Sequence, residues 1–202
     1  MRSRCPKGSS RKRSTSTTTR SSPAQPSRRF ALALGGNLGD SRTIFAQALA
    51  RLEATLGPLV IAPLYLTEAV SRIPQPPYLN TVAIGASDLA AERLLAITQQ
   101  VELDFGRERN AGQMAEAPRT LDLDLLLLGD ERRSESAPLL PHPRLRQRRF
   151  VLAPLCDVAP DWRIPPDGAT ACELLRNLPP SPWARRLPGA LRDAAASIAS
   201  EP

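Results

Sequence analysis

Leu121-Asp-Leu-Asp-Leu-Leu-Leu-Leu128 decides how this chain is read. Eight residues with six leucines suit a buried strand and fall far short of the roughly 20 that a membrane helix needs. Two acids interrupt the run. Side chains alternate across a strand, so Asp122 and Asp124 point to the same face, about 7 Å apart along the chain. Paired carboxylates on an apolar strand repel each other, and something positive must offset that cost. Hard oxygen donors of this kind suit Mg²⁺, which takes one or two carboxylates plus phosphate oxygens. An edge strand with solvated acids is the plainer alternative, and the flanking leucines weigh against it.

Working toward the N-terminus, residues 106–118 read as a polar loop and Ala90 to Asp104 as a helix, with Leu94, Leu95, Ile97, Val101 and Leu103 at or near its inner face. Tyr78 to Ala86 reads as a strand, residues 68–77 as a Pro-rich loop, and Leu59 to Thr67 as another strand that Pro63 restricts to an edge or a bulge. A helix from Asp40 or Ser41 to about Leu56 carries Ile44, Phe45, Ala48, Leu49 and Leu52 at helical spacing and stops at Gly57-Pro58. Before it, Phe30-Ala-Leu-Ala-Leu34 is a short strand. The order βαββαβ predicts an α+β fold, a ferredoxin-like sandwich whose antiparallel sheet has helices packed on one face. Beyond Leu128 the expectations are a short strand at Phe150-Val-Leu, a helical turn near 171–178 and a poorly ordered C-terminal tail over 179–202.

The formal charge of +7 resembles a nucleic-acid signal, but its location does not support one. Residues 1–29 hold nine of the 27 basic residues and no acid, which leaves 18 basic and 20 acidic residues elsewhere, a net of −2. These first 29 residues, rich in Ser, Thr, Arg and Pro, are expected to be a disordered basic tail. A near-neutral body with 4% aromatic residues is a poor match for a single-strand RNA platform. The three cysteines, Cys5, Cys156 and Cys172, form no Cys-x-x-Cys. Cys156 and Cys172 are expected to be small buried hydrophobes in a reducing cytoplasm. The length leaves no room for a second catalytic domain.

Arginines flank the acid pair. Arg107, Arg109 and Arg119 precede it, and Arg144, Arg146, Arg148 and Arg149 follow the single histidine, His142, which Pro141 and Pro143 hold extended. A planar guanidinium grips phosphate oxygens two at a time. Carboxylates for a metal, with arginines on both sides, make a phosphoryl-transfer kit. No Walker-type Gly-x-x-x-x-Gly-Lys motif occurs. Tyr78 and Asn80 share one strand face, and an Asn amide can meet the donor and acceptor edge of a heterocycle.

Several segments, in order, resemble the 6-hydroxymethyl-7,8-dihydropterin pyrophosphokinase family. Ala33-Leu-Gly-Gly-Asn-Leu-Gly39 is similar to its A-x-G-S-N-[LM]-G, with Gly36 in place of the usual Ser. Tyr65-Leu-Thr67 with Tyr78-Leu-Asn80, Glu102 to Arg109, Pro118-Arg-Thr-Leu-Asp-Leu-Asp124, and Leu140-Pro-His-Pro-Arg144 with Arg148, Phe150 and Pro154-Leu155 resemble its further blocks. Glu116-Ala117 stand where the family commonly has Trp-Gly. The resemblance implies a pyrophosphokinase domain over 30–178 that moves diphosphate from ATP to 6-hydroxymethyl-7,8-dihydropterin and releases AMP, in folate biosynthesis. It implies that Asp122 and Asp124 hold two Mg²⁺ ions, with Arg107 and Arg119 acting in catalysis. Thr67, Asn80 and Phe150 would hold the pterin. Gln99, Glu102, Arg109, His142 and Arg148 would hold ATP. The expected molecule is a cytoplasmic monomer that acts on small molecules and engages neither nucleic acid nor membrane. Another Mg²⁺-dependent phosphotransferase on the same fold, or a relative that binds without catalysing, are the rival readings.

Overall fold

The leucine-rich run forms a strand at the edge of a sheet. The computed structural model describes residues 26–71, 74–107, 117–189 and 191. Its elements are β1 (Arg28–Gly36), α1 (Ser41–Leu56), β2 (Val60–Ile61), β3 (Tyr65–Thr67), β4 (Tyr78–Ser87), α2 (Ala91–Asp104) and β5 (Asp122–Leu128). After a 3₁₀ turn at Leu145–Gln147 come α3 (Arg149–Val158), β6 (Arg163–Ile164), β7 (Ala169–Thr170), α4 (Ala171–Asn177) and β8 (Ala184–Arg186). The main sheet runs β5-β1-β4-β3-β8, with β2 also on β4, and every pairing is antiparallel. Its first four strands have the order and direction of the expected ferredoxin-like plan.

Local chemistry explains the boundaries. Asp40 caps α1 by accepting from the N–H groups of Arg42 (3.1 Å) and Thr43 (3.3 Å), and Gly57 closes the helix at φ 84°. Pro63 lies between β2 and β3 and splits the single strand expected over 59–67. Thr170 and Glu173 form a reciprocal capping box at the start of α4.

Helices cover both faces of the sheet, not one. Phe30, Leu32 and Leu34 of β1 pack with Phe45, Leu49 and Leu52 of α1 and Leu94 and Val101 of α2. On the other face Ala31, Val82, Ile84 and Leu126 meet Val151, Leu152 and Leu155 of α3. The expected strand at Phe150-Val-Leu is therefore the first part of helix α3. A short apolar run has no period of its own, and burial of Val151, Leu152 and Leu155 on one helical stripe decides its form.

Three further expectations shift. β1 starts at Arg28, two residues before the expected Phe30, because Arg28 and Arg29 continue the ladder opposite Ser87 and Ala86. Residues 184–186, expected within a loose tail, extend the sheet beside β3, and Arg186 Nε approaches Asp157 at 3.7 Å. Cys156 and Cys172 are half-buried and joined by a disulfide between α3 and α4, with Cα atoms 5.1 Å apart. That distance falls within the bridging range, and only the packing of α3 against α4 brings together two residues 16 apart in sequence. Cys5 lies outside the described residues.

Gly85 in β4 makes room for Phe30: a Cβ there would stand 2.5 Å from Phe30 Cζ and 2.7 Å from Leu59 Cδ2. Gly85→Ala should cost about 1–3 kcal/mol through overpacking. Urea unfolding should show the midpoint fall with an unchanged slope.

Candidate active site

One end of the sheet carries the functional residues. Gly35 of β1 pairs with Asp122 on one side and Asn80 on the other, and Ala33 pairs with Asp124 and Val82. Tyr65 pairs with Asn80 on the far side of β4. Alternation places Asp122, Asp124, Tyr78, Asn80 and Thr67 on the face that α3 covers farther along, while Leu123 and Leu125 point into the opposite core. The two acids thus share a face, and each is about a quarter to a third exposed. A Cβ at Gly35 would stand 2.9 Å from Asn80 Oδ1, so only glycine lets that amide lie across β1.

Each acid is held by guanidinium groups. Arg107 hydrogen-bonds Asp122 Oδ1 and Glu102 Oε1, and Arg119 Nη1 donates to Asp122 Oδ2 at 3.0 Å. Arg148 Nη1 donates to Asp124 Oδ2 at 3.2 Å, and its guanidinium carbon stands 5.3 Å from the Phe150 ring centroid. Burial works against the Arg107 charge, but Asp122 and Glu102 outweigh it and raise its pKa. Arg148 shifts the other way: burial and then Arg144 lower its pKa, against the pull of Asp124.

His142 stands beside Asp124, with Nε2 3.8 Å from Oδ2. Its backbone N–H bonds Leu126 O at 2.9 Å, which ties the Pro-His-Pro segment to the exposed edge of β5. Burial lowers the imidazole pKa, Asp124 opposes the shift, and Arg148 and Arg144 add to it. The ring is therefore neutral near pH 7. The Arg144 N–H donates to Nδ1 at 3.2 Å, so this hydrogen-bond network assigns the ring proton to Nε2, on the Asp124 side.

Asn80 Nδ2 donates to Thr67 Oγ1 at 2.7 Å, and both residues are buried. Phe150 is half-buried at the start of α3. Asp122, Asp124, Arg107, Arg119, Glu102, His142, Arg148 and Phe150 thus form one linked group, with Thr67 and Asn80 on the same sheet face beyond β1. Gln99 sits half-buried on α2, one turn before Glu102. Arg109 lies outside the described residues.

Glu102 has a structural task that its sequence position alone does not reveal. It is 1% exposed, and its Oε1 accepts the Leu123 N–H at 2.8 Å on the open edge of β5. Asn37 and Gln75, to which the sequence reading gives no role, also belong here. Asn37 accepts from the Arg119 N–H at 3.0 Å, and Tyr78 OH donates to Gln75 Oε1 at 2.9 Å. Asn37 had a signal, since it lies in the Gly-Gly-Asn-Leu-Gly turn; Gln75 had none beyond a Pro-rich loop. Glu102→Ala should destabilise the fold by about 2–4 kcal/mol, because it strands a buried N–H and frees Arg107. Glu102→Gln, which keeps an acceptor for Leu123, should lose less than half as much in urea unfolding.

Comparison with known proteins identifies the family. A profile of the 7,8-dihydro-6-hydroxymethylpterin-pyrophosphokinase (HPPK) family covers residues 31–160. The 2-amino-4-hydroxy-6-hydroxymethyldihydropteridine pyrophosphokinase of Pseudomonas aeruginosa is 39% identical over 164 residues, 80% of this chain and 98% of that protein. The Bacillus subtilis enzyme of the same name is 37% identical over 129 residues, 63% of this chain and 75% of its own. A crystal structure of a Plasmodium falciparum HPPK-DHPS triple mutant with SDX-DHP superimposes with a TM-score of 0.59 at 14% identity, over 77% of this chain and 45% of that one. At that identity the superposition speaks for the fold, and this chain spans less than half of that longer protein. With a family profile across residues 31–160 and relatives near 40% identity, the chain belongs to the 7,8-dihydro-6-hydroxymethylpterin-pyrophosphokinase family.

Proposed function

We propose that this chain transfers diphosphate from ATP to 6-hydroxymethyl-7,8-dihydropterin and releases AMP, a step of folate biosynthesis. The observation that carries this is the pair Asp122 and Asp124 on one half-exposed face, ringed by Arg107, Arg119 and Arg148 and lying across β1 from the Thr67–Asn80 pair. A phosphate-handling group and a heterocycle-sized polar floor thus share one sheet end.

The acid pair fits Mg²⁺. Among the described residues no group of three or more His, Cys, Asp or Glu side chains converges as a complete metal cage. Two carboxylates with the remaining positions left to phosphate oxygens and water is the usual Mg²⁺ arrangement. Glu102, Asp122 and Asp124 are matched by Arg107, Arg119 and Arg148 with His142 neutral, and Arg144 adds a positive charge close enough to act on His142 and Arg148. A nucleotide of about −4 charge then calls for about one to two divalent cations, and two is our reading. Bound there, the metals would supply Lewis-acid polarisation of the phosphate oxygens.

The chain's own groups do the rest. Asn80 and Thr67 orient the pterin edge, and Phe150 offers it a ring face at the mouth of α3. The guanidinium groups of Arg107, Arg119 and Arg148 move from carboxylate to phosphate oxygens and offset the charge that builds up as the pterin alcohol attacks the β-phosphorus. The alcohol oxygen bonds to the β-phosphorus as the bond from that phosphorus to the α,β-bridging oxygen breaks; the alcohol proton passes to solvent or to Asp124, and AMP leaves with the bridging oxygen. His142 presents its Nε2–H as a neutral donor beside the phosphates. Gln99, Glu102 and Arg109 flank the nucleotide. A monomer in the cytoplasm, where ATP is abundant, suffices for this reaction; no helix among the described residues is long and apolar enough to cross a membrane.

An assay of AMP release tests the reading directly. Asp124→Ala should reduce turnover on the order of a thousandfold while the protein stays folded, since a lost metal site removes several kcal/mol of charge stabilisation. EDTA should abolish turnover and excess Mg²⁺ restore it. Near-normal turnover in either experiment overturns the metal assignment. Phe150→Ala should raise KM for the pterin about tenfold and leave KM for ATP within about twofold.

A further inference from the structure

Cys156 and Cys172 take no part in the chemistry above. Cys156 lies in the last turn of α3 and Cys172 in the first turn of α4, with Cα atoms 5.1 Å apart and the sulfurs bonded. Both are half-buried, so a small solute in water can reach them. The open form is accommodated as well. Cys172 Sγ stands 3.8 Å from Cys156 O, within reach of a thiol donor. That carbonyl has no partner in its own helix, because residue 160, which would supply the N–H, is proline.

The bond sits at one end of a brace. β6 and β7 form a separate two-stranded sheet, so α4, which follows them, depends on side chains for its place on α3. Leu174, Leu175 and Leu178 of this segment are half-buried against the cluster that holds Val151, Leu152 and Leu155 of α3. The far end of α4 is gripped by Arg149. Its Nη2 donates to Leu178 O at 2.9 Å and to Pro179 O at 2.6 Å, and its Nε to Pro179 O at 3.2 Å. Arg149 stands between Arg148, which holds Asp124, and Phe150. α4 therefore spans α3 from its last turn, at Cys156, to its first, at Arg149.

We infer that Cys156 and Cys172 are a reversible oxidation site, cycled by low-molecular-weight thiols and disulfides, whose bond braces the start of α3 where Phe150 meets the pterin. The inference rests on the proposed assignment of Phe150 to the pterin. Disulfides in a cytoplasm are rare and are mostly transient, catalytic or redox-sensing, and exposed bonds are the labile ones. The exchange balances. A small thiolate attacks one sulfur, the S–S bond breaks, and a mixed disulfide and one protein thiol form. A second thiolate displaces the small disulfide and leaves two protein thiols, which have gained two electrons and two protons. With the bond open, the segment between the cysteines regains chain freedom. α4 then undocks part of the time, as segments with few buried contacts do. Arg149 loses its carbonyl partners, and Phe150 beside it is less firmly placed.

The test is a titration of the full chain, carrying Cys5→Ser so that only this pair reports, across ratios of reduced to oxidised glutathione. The oxidised fraction is read by mass after thiol alkylation. The Kd of 6-hydroxymethylpterin is read by fluorescence at each ratio, in saturating Mg²⁺ and α,β-methylene ATP. The pair should pass from dithiol to disulfide within the titration, and the Kd should tighten about threefold as it does, as when about a third of the dithiol molecules keep α4 docked. The Kd of α,β-methylene ATP, which Arg107 and Arg119 also hold, should move by less than about twofold. Cys172→Ser should show the dithiol Kd at every ratio. Arg149→Leu should still form the disulfide yet show the dithiol Kd in both states, because the far end of the brace is cut. Should either variant fail to fold, the titration of the parent pair carries the test alone. A bond that stays closed or stays open at every ratio, a pterin Kd that does not follow the bond, or an equal shift for both ligands overturns the inference. Pterin that binds in neither state overturns it together with the pterin assignment. AMP release with a flat pterin Kd counts against the oxidation site alone, whereas a Kd that follows the bond without AMP release supports the site and counts against the catalytic reading.

Discussion

Asp122 and Asp124 repel each other on a strand that is otherwise leucine, and the architecture around them answers that repulsion. Arg107 and Arg119 hold the first acid and Arg148 the second. Each cation comes from a different segment: the end of α2, the approach to β5 and the approach to α3. The acid pair thereby fixes where three segments stop. A partly buried carboxylate without such partners would be neutralised or driven into solvent. The free site is instead a set of matched ion pairs that can be exchanged for metal and phosphate without a net gain of buried charge.

The sheet sets the spacing. Gly35 separates Asp122 from Asn80 by one strand, which puts the acids about 10 Å from the polar floor formed by Asn80 and Thr67. A larger residue at Gly35 would displace the Asn80 amide. α3 covers the same face farther along, so its first turn delivers Arg148 and Phe150 at the border between covered and open sheet. The open edge of β5 is closed by polar partners: Glu102 takes the Leu123 N–H, and Leu126 O takes the His142 N–H. Two motif residues thus also protect an edge that would otherwise offer unpaired backbone.

Features that depend on one local pattern were legible in the sequence. The alternation that sets Asp122 and Asp124 on one face, the helical spacing of Phe45, Ala48, Leu49 and Leu52, and the cap at Asp40 all reappear as read. The structure also brings Asp122, Asp124, Arg107, Arg119, Arg148 and His142, all singled out from sequence, close together. What escaped depends on distant packing. Phe150-Val-Leu takes its helical form from the sheet beneath it, and the Cys156–Cys172 bridge exists because α3 and α4 lie together. β8 follows a Pro-rich stretch that resembles a tail, and it becomes a strand only by joining the edge of β3. Glu102 resembles a ligand-binding residue in sequence, and its bond to Leu123 N–H shows a task in the scaffold as well.

The chain has no lysine after Lys12, so guanidinium serves every cationic role in the folded body. This suits a site that must be stable both empty and loaded. An ammonium is a strongly hydrated point charge, and holding it against a half-buried carboxylate costs more water than holding a guanidinium there. A guanidinium presents a flat fork that accepts a carboxylate or a phosphate with the same geometry. Arg148 shows the consequence: its guanidinium meets Asp124 and also lies near the Phe150 ring. When Arg148 turns toward phosphate it moves relative to that ring as well. The nucleotide side and the heterocycle side therefore share a moving part as well as a sheet end.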